Sequence, residues 1–286
     1  MNQLNLYKND IKNTWKIFKH AMNTPNNTLN ISQIRWNNTL SKEPIEIAET
    51  FNTYFSSIGK NLSQNIPLPD KQYYEFLDAP NPNTIFIFPT HKDEILKIAS
   101  GLNDKKSPGH DGISNYLLKN IISYIMDPLV YILNLSLSSG IVPNIMKIAK
   151  VIPIYKKGDK SDVSNYRPIS LLTNISKILE RIIYTRTINF LKLNNVFSDC
   201  QFGFREKHST THALLTFVEK VTHALDKFSH TIGIFLDFSK AFDTINHVIL
   251  LKKLYHYGIR GRALEWFRSY LSNRKQYVSF RVVVPK

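Results

Sequence analysis

Apolar residues recur along the chain in two regimes that change near residue 84. Before that point Ile11, Trp15 and Phe18 stand at helical spacing and predict a helix over 5–20. "TPNNTLNIS" breaks the pattern as an Asn-rich loop. Ile47, Phe51, Phe55, Ile58 and Leu62 then form one stripe and predict an amphipathic helix over 44–62. "IPLPDKQYYEFLDAPNPN" has several prolines and no period, which predicts a linker and a boundary near 84.

Beyond it the pattern tightens. Thr90 is placed to cap a helix running to Gly101, with Asp93 as its capping-box acid. "NDKKSPGHDGIS" predicts a tight loop, followed by two helices split at Asp127-Pro128 and stopped at Gly140. "KIAKVIPIY" has strand character, and "KKGDKSDVSNYRP" reads as a polar loop. A helix follows in "NISKILERIIYTRTINFLKL", with Ile175, Ile178, Ile182 and Phe190 inward. "CQFGFREKHSTTH" reads as a loop, and Thr210 or Thr211 opens a helix through about Leu225. The apolar run Ile232 to Leu236 predicts a strand ending in Asp237. Two helices come next, in "VILLKKLYHYGI" with Gly258 as its stop and in "GRALEWFRSYLSNR", and "QYVSFRVVV" predicts a strand. Strands this few and scattered exclude a doubly wound sheet and predict an α+β fold.

Charge adds a partner class. The chain of 286 residues is 43% hydrophobic and 12% aromatic, so a packed core is expected. Net charge is +15, and it is uneven. Residues 1–146 carry 13 Lys and Arg against 12 Asp and Glu, while residues 147–286 carry 24 against 10. A basic excess confined to one half predicts a polyanion, with nucleic acid as the natural partner. The single cysteine, Cys200, excludes a disulfide framework and a cysteine-rich zinc site, and fits a reducing compartment. The polar "MNQLNLYKNDIKNTW" lacks a signal-peptide apolar stretch, and no run approaches about 18 apolar residues, so no membrane association is expected. The glycosylation-like matches at Asn26 and Asn37 are then chance.

Three segments carry candidate chemistry. In "GIFLDFSKAFDTIN" an apolar run delivers Asp237, with Phe242 and Asp243 following. A carboxylate there is either bound to metal or paired with a basic residue at a strand end, and the segment alone leaves both open. Asp243 also reads as a cap for the helix after it, and Phe242 as a core aromatic. In "VIPIYKKGDKSDVSNYRPISLL", Lys156, Lys157 and Arg167 stand where two or three cations can surround a phosphate, or else on a solvated loop. In "QFGFREKHSTTHALL", two aromatics flank a glycine beside Arg205, a combination suited to single-stranded nucleic acid or to a plain turn. His208 and His212 are four apart, without a third metal ligand.

Taken in order, "AKVIPIYKKGD", "NYRPISLL", "KILERII", "FSDCQFGFREKHSTTHAL", "FLDFSKAFDTINH" and "LKKLYHYGIRGRALEWFRSYLSNRKQYV" resemble the reverse transcriptase of non-LTR retrotransposons of the jockey-like LINE type. The resemblance runs from about residue 100 onward, with "KKSPGHDGISNYLLK" similar to the family's N-terminal extension. It implies a mainly helical connector over 1–84, an N-terminal extension over 85–146, and the fingers and part of the palm of a right-hand polymerase over 147–286. It implies that Asp237 and the Phe238 carbonyl hold Mg²⁺, and that Phe242 lies under the incoming sugar. Lys156, Lys157 and Arg167 would hold the triphosphate of a dNTP, and Gln201, Gly203 and Arg205 would face the template. The implied reaction is two-metal transfer of a dNTP to a DNA primer 3′-hydroxyl on an RNA template. An intracellular location follows from the family, the nucleus included, with no signal for it in the sequence.

The family also carries a Gly-x-Pro-Gln-Gly loop and an aromatic-Ala-Asp-Asp hairpin, and neither occurs in these 286 residues. The chain is therefore expected to stop within the palm and to be inactive by itself. Two other readings stand beside this one: a domesticated, non-catalytic nucleic-acid-binding module, and an unrelated metal phosphohydrolase built on Asp237 and Asp243.

Overall fold

The computed structural model describes residues 31–280 except 65, 68, 69 and 239. The helix expected over 5–20, Asn26 and the last residues of "QYVSFRVVV" lie outside the described residues. The architecture is α+β.

Residues 31–64 are not purely helical. Strands β1 (Ile34–Trp36) and β2 (Thr39–Ser41) form a hairpin with Trp36 opposite Thr39. Its two-residue turn is Asn37-Asn38, both at positive φ (47° and 62°), as tight hairpin turns of the primed type require. Helix α1 (Pro44–Gln64) follows, and the predicted stripe points inward: Ile47, Phe51 and Phe55 are buried.

These residues cover a three-stranded sheet of order β4-β3-β5. Strand β3 (Ile148–Tyr155) pairs antiparallel with β4 (Tyr166–Leu171) and parallel with β5 (Lys275–Val278). Period-two alternation turns Ala149 and Val151 of β3 into a core with Ile34, Ile47, Phe51, Val163 and Tyr166. The Phe51 ring meets Tyr166 edge-on at 4.9 Å. The other sheet face carries Ile154, Arg167 and Ile169, all exposed. Expecting "NYRP" to be a loop was wrong: Tyr166, Arg167 and Pro168 belong to β4. Proline is tolerated there because β4 is an edge strand whose outer N–H groups have no partner to lose.

The second core is helical. It joins α2 (Lys92–Ser100), α3 (Asn115–Ile121), α4 (Met126–Ser139), α5 (Asn174–Leu193) and α8 (Gly261–Leu271), through Ile95, Leu118, Leu133, Ile178, Ile182 and Trp266 among others. Gly140 ends α4 in the left-handed region (φ 72°). A Cβ there would stand 3.0 Å from the Arg262 carbonyl oxygen, so glycine also lets α8 approach. No single described helix is long and apolar enough to cross a membrane.

The capping assignment for α2 needs correction. His91 occupies the N-cap position without a side-chain cap bond, and Asp93 closes no capping box. Thr90 instead donates its hydroxyl to the Glu94 carboxylate (2.6 Å), which faces Arg186 of α5. The Arg186 guanidinium donates two bonds of 2.8 Å to Glu94 and others to the carbonyls of Phe88 (3.0 Å), Pro89 and Ile182. Arg186 is only 4% exposed. Its hydrogen bonds, joined by the Thr90 hydroxyl and the Arg186 charge, hold the Glu94 carboxyl below its ordinary range despite burial.

The stretch expected as a linker is pinned at its end. Arg260 donates to the carbonyls of Asn81 (2.6 Å) and Asn83 (3.3 Å), and the Ile85 amide donates to the Gly258 carbonyl (2.9 Å). Gly258 lies just past α7 (His247–His256), at φ 95°, with the Asn83 carbonyl against its Cα, as its expected role as a stop requires.

Candidate nucleotide and nucleic-acid interface

The β3–β4 connection brings the predicted cations together. Ile154 lies opposite Arg167, and the Lys156 amide extends the ladder by donating to the Asn165 carbonyl (2.8 Å). Strand alternation carries Lys156 to the same solvent face as Ile154 and Arg167, with Lys157 next at the turn. All three cations are exposed, and none joins an ion pair among the described residues.

The loop beneath them is tied by polar side chains. The Tyr155 hydroxyl donates to the Gly158 carbonyl and the Tyr166 hydroxyl to the Lys160 carbonyl (2.7 Å). The Asn165 amide donates to the Asp159 carbonyl (2.9 Å). The Asp159 carboxylate accepts from the Ser161 amide (2.9 Å) and hydroxyl (2.8 Å). Those two bonds, aided by the Arg35 charge, hold the Asp159 carboxyl below the usual carboxylate range.

The second predicted segment precedes α6 (Thr210–Asp226), capped by the Ser209 hydroxyl. Arg205 is partly committed to its own loop. It donates to the Ser198 (2.8 Å) and Gln201 (3.4 Å) carbonyls and lies over the Phe197 ring. The Gln201 amide reaches the Gly203 carbonyl (3.3 Å). Phe204, not Gly203, takes the left-handed backbone (φ 60°), which leaves its ring 85% exposed. His208 and His212 meet edge-on with ring centroids 6.5 Å apart.

Sequence reasoning missed the surface beside this loop. A groove lined by Glu94, Lys97, Lys177, Arg181 and Thr185 meets, at Arg181 and Thr185, a second one lined by Tyr184, Lys192, Phe204, Arg205 and Glu206, where Glu206 pairs with Lys192 at 3.3 Å. Basic side chains interleaved with exposed rings suit a single-stranded polyanion. The signal lay in α5, where Lys177, Arg181, Thr185 and Lys192 share one helical face.

The expected strand through Asp237 is not formed. Residues 231–238 are irregular, with Ile234, Phe235 and Leu236 each at least 80% exposed. No described strand lies beside them, and an apolar run without a hydrogen-bonding neighbour has no ladder to join. Asp237 and Phe238 are exposed; the Phe242 ring stands edge-on to Phe204 at 6.0 Å and is 74% exposed. Among the described residues no three of His, Cys, Asp and Glu gather in a way that could hold a metal ion. One exposed carboxylate does not constitute a magnesium site, so the described residues do not by themselves fit the ion.

Asp243 does not cap α7. Asn246 does, its side chain accepting from the Val248 (2.9 Å) and Ile249 (3.2 Å) amides. Asp243 sits in the preceding turn, its carbonyl against Gly59 of α1. Asn246→Ala should therefore cost about 1 kcal/mol in a urea melt. Asp243→Ala should change the midpoint little; the reverse order would restore Asp243 as the cap.

The sequence has relatives. Residues 154–285 match the family model described as reverse transcriptase (RNA-dependent DNA polymerase). The chain is 32% identical over 221 residues to the probable RNA-directed DNA polymerase from transposon BS of Drosophila melanogaster, covering 74% of this chain and 24% of that protein. It is 31% identical over 242 residues to the RNA-directed DNA polymerase from mobile element jockey of Drosophila funebris, covering 84% and 26%. Against the jockey protein of Drosophila melanogaster it is 32% identical over 184 residues, covering 64% and 20%. The chain thus spans about a quarter of the length of these curated relatives. Residues 154–285 thus carry the reverse transcriptase family match, and the chain is similar to the RNA-directed DNA polymerases of jockey-like transposons.

Proposed function

We propose that the chain is the nucleotide- and template-holding part of an RNA-directed DNA polymerase, comprising fingers and the first part of a palm. The observation that carries this reading is the β3–β4 hairpin, which from Ile154 onward lies within the matched segment and sets Lys156 and Arg167 on one open face with Lys157 at the turn. Arg offers a planar fork for phosphate oxygens, and the two lysines add compact charge. Their part is to orient a dNTP triphosphate and neutralise it, leaving its α-phosphate toward a primer 3′-hydroxyl. The grooves on α5, with Gln201, Gly203 and Arg205 nearby, would guide the RNA template, and Phe242 would lie under the sugar. Asp237 would contribute one carboxylate to a magnesium site needing others. By themselves these 286 residues should not extend a primer.

The test uses the 286-residue chain. A fluorescent dNTP should bind, and Lys157→Ala and Arg167→Ala should each weaken it about tenfold. With Mg²⁺ and a primed RNA template the same chain should give no product. Binding indifferent to both substitutions would remove the triphosphate reading. Metal-dependent extension abolished by Asp237→Asn would overturn the expected inactivity.

A further inference from the structure

The hairpin that leads into α1 touches the cation loop. The Arg35 amide donates to the Ser161 carbonyl (2.6 Å), and Arg35 forms an isolated parallel bridge with Asp162. Next to it Ile34, 0% exposed, lies in one core cluster with Val163 and Tyr166 at the end of the same loop. Opposite Leu40 in the hairpin, Arg35 aims its N–H away from β2, and that side is where the loop lies. β1 thus has β2 along one edge and the loop along the other.

We propose that β1 is a brace for the 156–165 loop and that Arg35 is a positioning residue, acting through its backbone N–H to hold Lys156 and Lys157 in place for a nucleoside triphosphate. This rests on the triphosphate reading above and makes residues 34–36 part of that site. Two long, unpaired lysines lose rotamer freedom when they close on an anion, and a fixed backbone reduces what remains to be ordered. The base of the loop is fixed from within, by the Tyr155, Tyr166 and Asn165 bonds. Its Ser161 corner is held on two sides: by the Asp159 carboxylate from the loop and by the Arg35 N–H from β1.

Each side can be removed separately. Arg35→Pro deletes the N–H that Ser161 accepts from while leaving the hairpin ladder its own donors. Asp159→Ala releases the corner from an exposed turn. Its sign is diagnostic: removing an anion beside two lysines would tighten polyphosphate binding by Coulomb attraction alone, whereas loss of the brace weakens it. For the whole chain, both variants should bind a fluorescent dNTP about tenfold more weakly. Amide exchange over 158–165 should accelerate in both, with β3 protection kept. Arg35→Ala, which retains the N–H, should bind more tightly than Arg35→Pro and keep the slow exchange over 158–165. Unchanged exchange over 158–165 in Arg35→Pro overturns the brace, and tighter binding by Asp159→Ala overturns its link to the triphosphate site. If Arg35→Pro does not fold, an ester in place of the Arg35 amide, which removes only that N–H, decides. If binding ignores Lys157→Ala and Arg167→Ala, the triphosphate reading falls, and the exchange data still decide whether β1 holds the loop.

Discussion

Replacing Arg186 with alanine is expected to destabilise the chain by about 3–5 kcal/mol. The cost arises from what the guanidinium leaves behind. Glu94, with its side chain 20% exposed, loses two direct donors and keeps only the Thr90 hydroxyl. The Phe88 and Pro89 carbonyls lose their donors as well, and the Phe88 ring loses the cation 4.4 Å from its centroid. An unpaired, partly buried carboxylate is worse than no carboxylate, so Glu94→Gln in the Arg186→Ala background should recover part of the loss. Urea melts followed by circular dichroism would measure both, and a loss under about 1 kcal/mol for Arg186→Ala would show that the pair is not structural. The pH dependence has a definite sign. Because the folded-state pKa of Glu94 lies below its ordinary 4.5, its contribution is complete above that value. It is lost as pH falls from there through the folded-state value. The parent should therefore lose stability more steeply below pH 4.5 than Arg186→Ala, which has little of that shift left to lose. Loosened α5 also carries Arg181 and Lys192 with it, so the grooves should weaken together with the fold.

The reach of the sequence followed the range of the interactions. Helices α1 and α5 were legible because their stripes are local, and Gly140 and Gly258 because a left-handed stop needs no partner. Glu94 was passed over for Asp93 because its partner Arg186 is 92 residues away, beyond any capping rule. The β1–β2 hairpin had a local signal, Asn37-Asn38, in a stretch (33–43) to which no element was assigned. β4 was hidden by Pro168, which lies opposite Pro153 on a sheet edge where the missing N–H costs nothing. The run at Ile232–Leu236 failed in the opposite sense, since composition reports the wish to be a strand and not the presence of a neighbour. The grouping of Lys156, Lys157 and Arg167 on one connection was legible from charge and spacing. β1 at Ser161 was not, because a backbone donor leaves no trace in side-chain type.

Trp266→Ala should cost about 3–5 kcal/mol, the range for a large buried aromatic, and its effect should reach the sheet. Trp266 is 2% exposed and stacks on Tyr270 at 5.2 Å. Its indole N–H donates to the Ser136 hydroxyl (3.2 Å), which donates in turn to the Ile141 carbonyl (2.7 Å) at the turn after α4. Tyr270 donates to Glu180 of α5, so one helix, α8, is tied to both of its neighbours. That same helix delivers β5 to β3. Its Ser269 hydroxyl accepts from the Val142 amide (2.9 Å), and its Ser269 carbonyl accepts from the buried Lys147 ammonium (3.2 Å) at the start of β3. Burial, with the nearby Arg274 charge, lowers the Lys147 pKa, so little else there compensates the ammonium if Ser269 moves. Trp266→Phe keeps one six-membered aromatic ring but loses the pyrrole part of the indole and its hydrogen bond, so it should cost about 1–3 kcal/mol, less than the alanine variant. Hydrogen exchange separates two consequences of the alanine variant. If α8 anchors β5, amides at 275–278 and their β3 partners should lose protection together, before β4 does. If β5 keeps its protection while α8 frays, the sheet stands on α1 alone, and the helical core does not hold the β3–β4 hairpin in place.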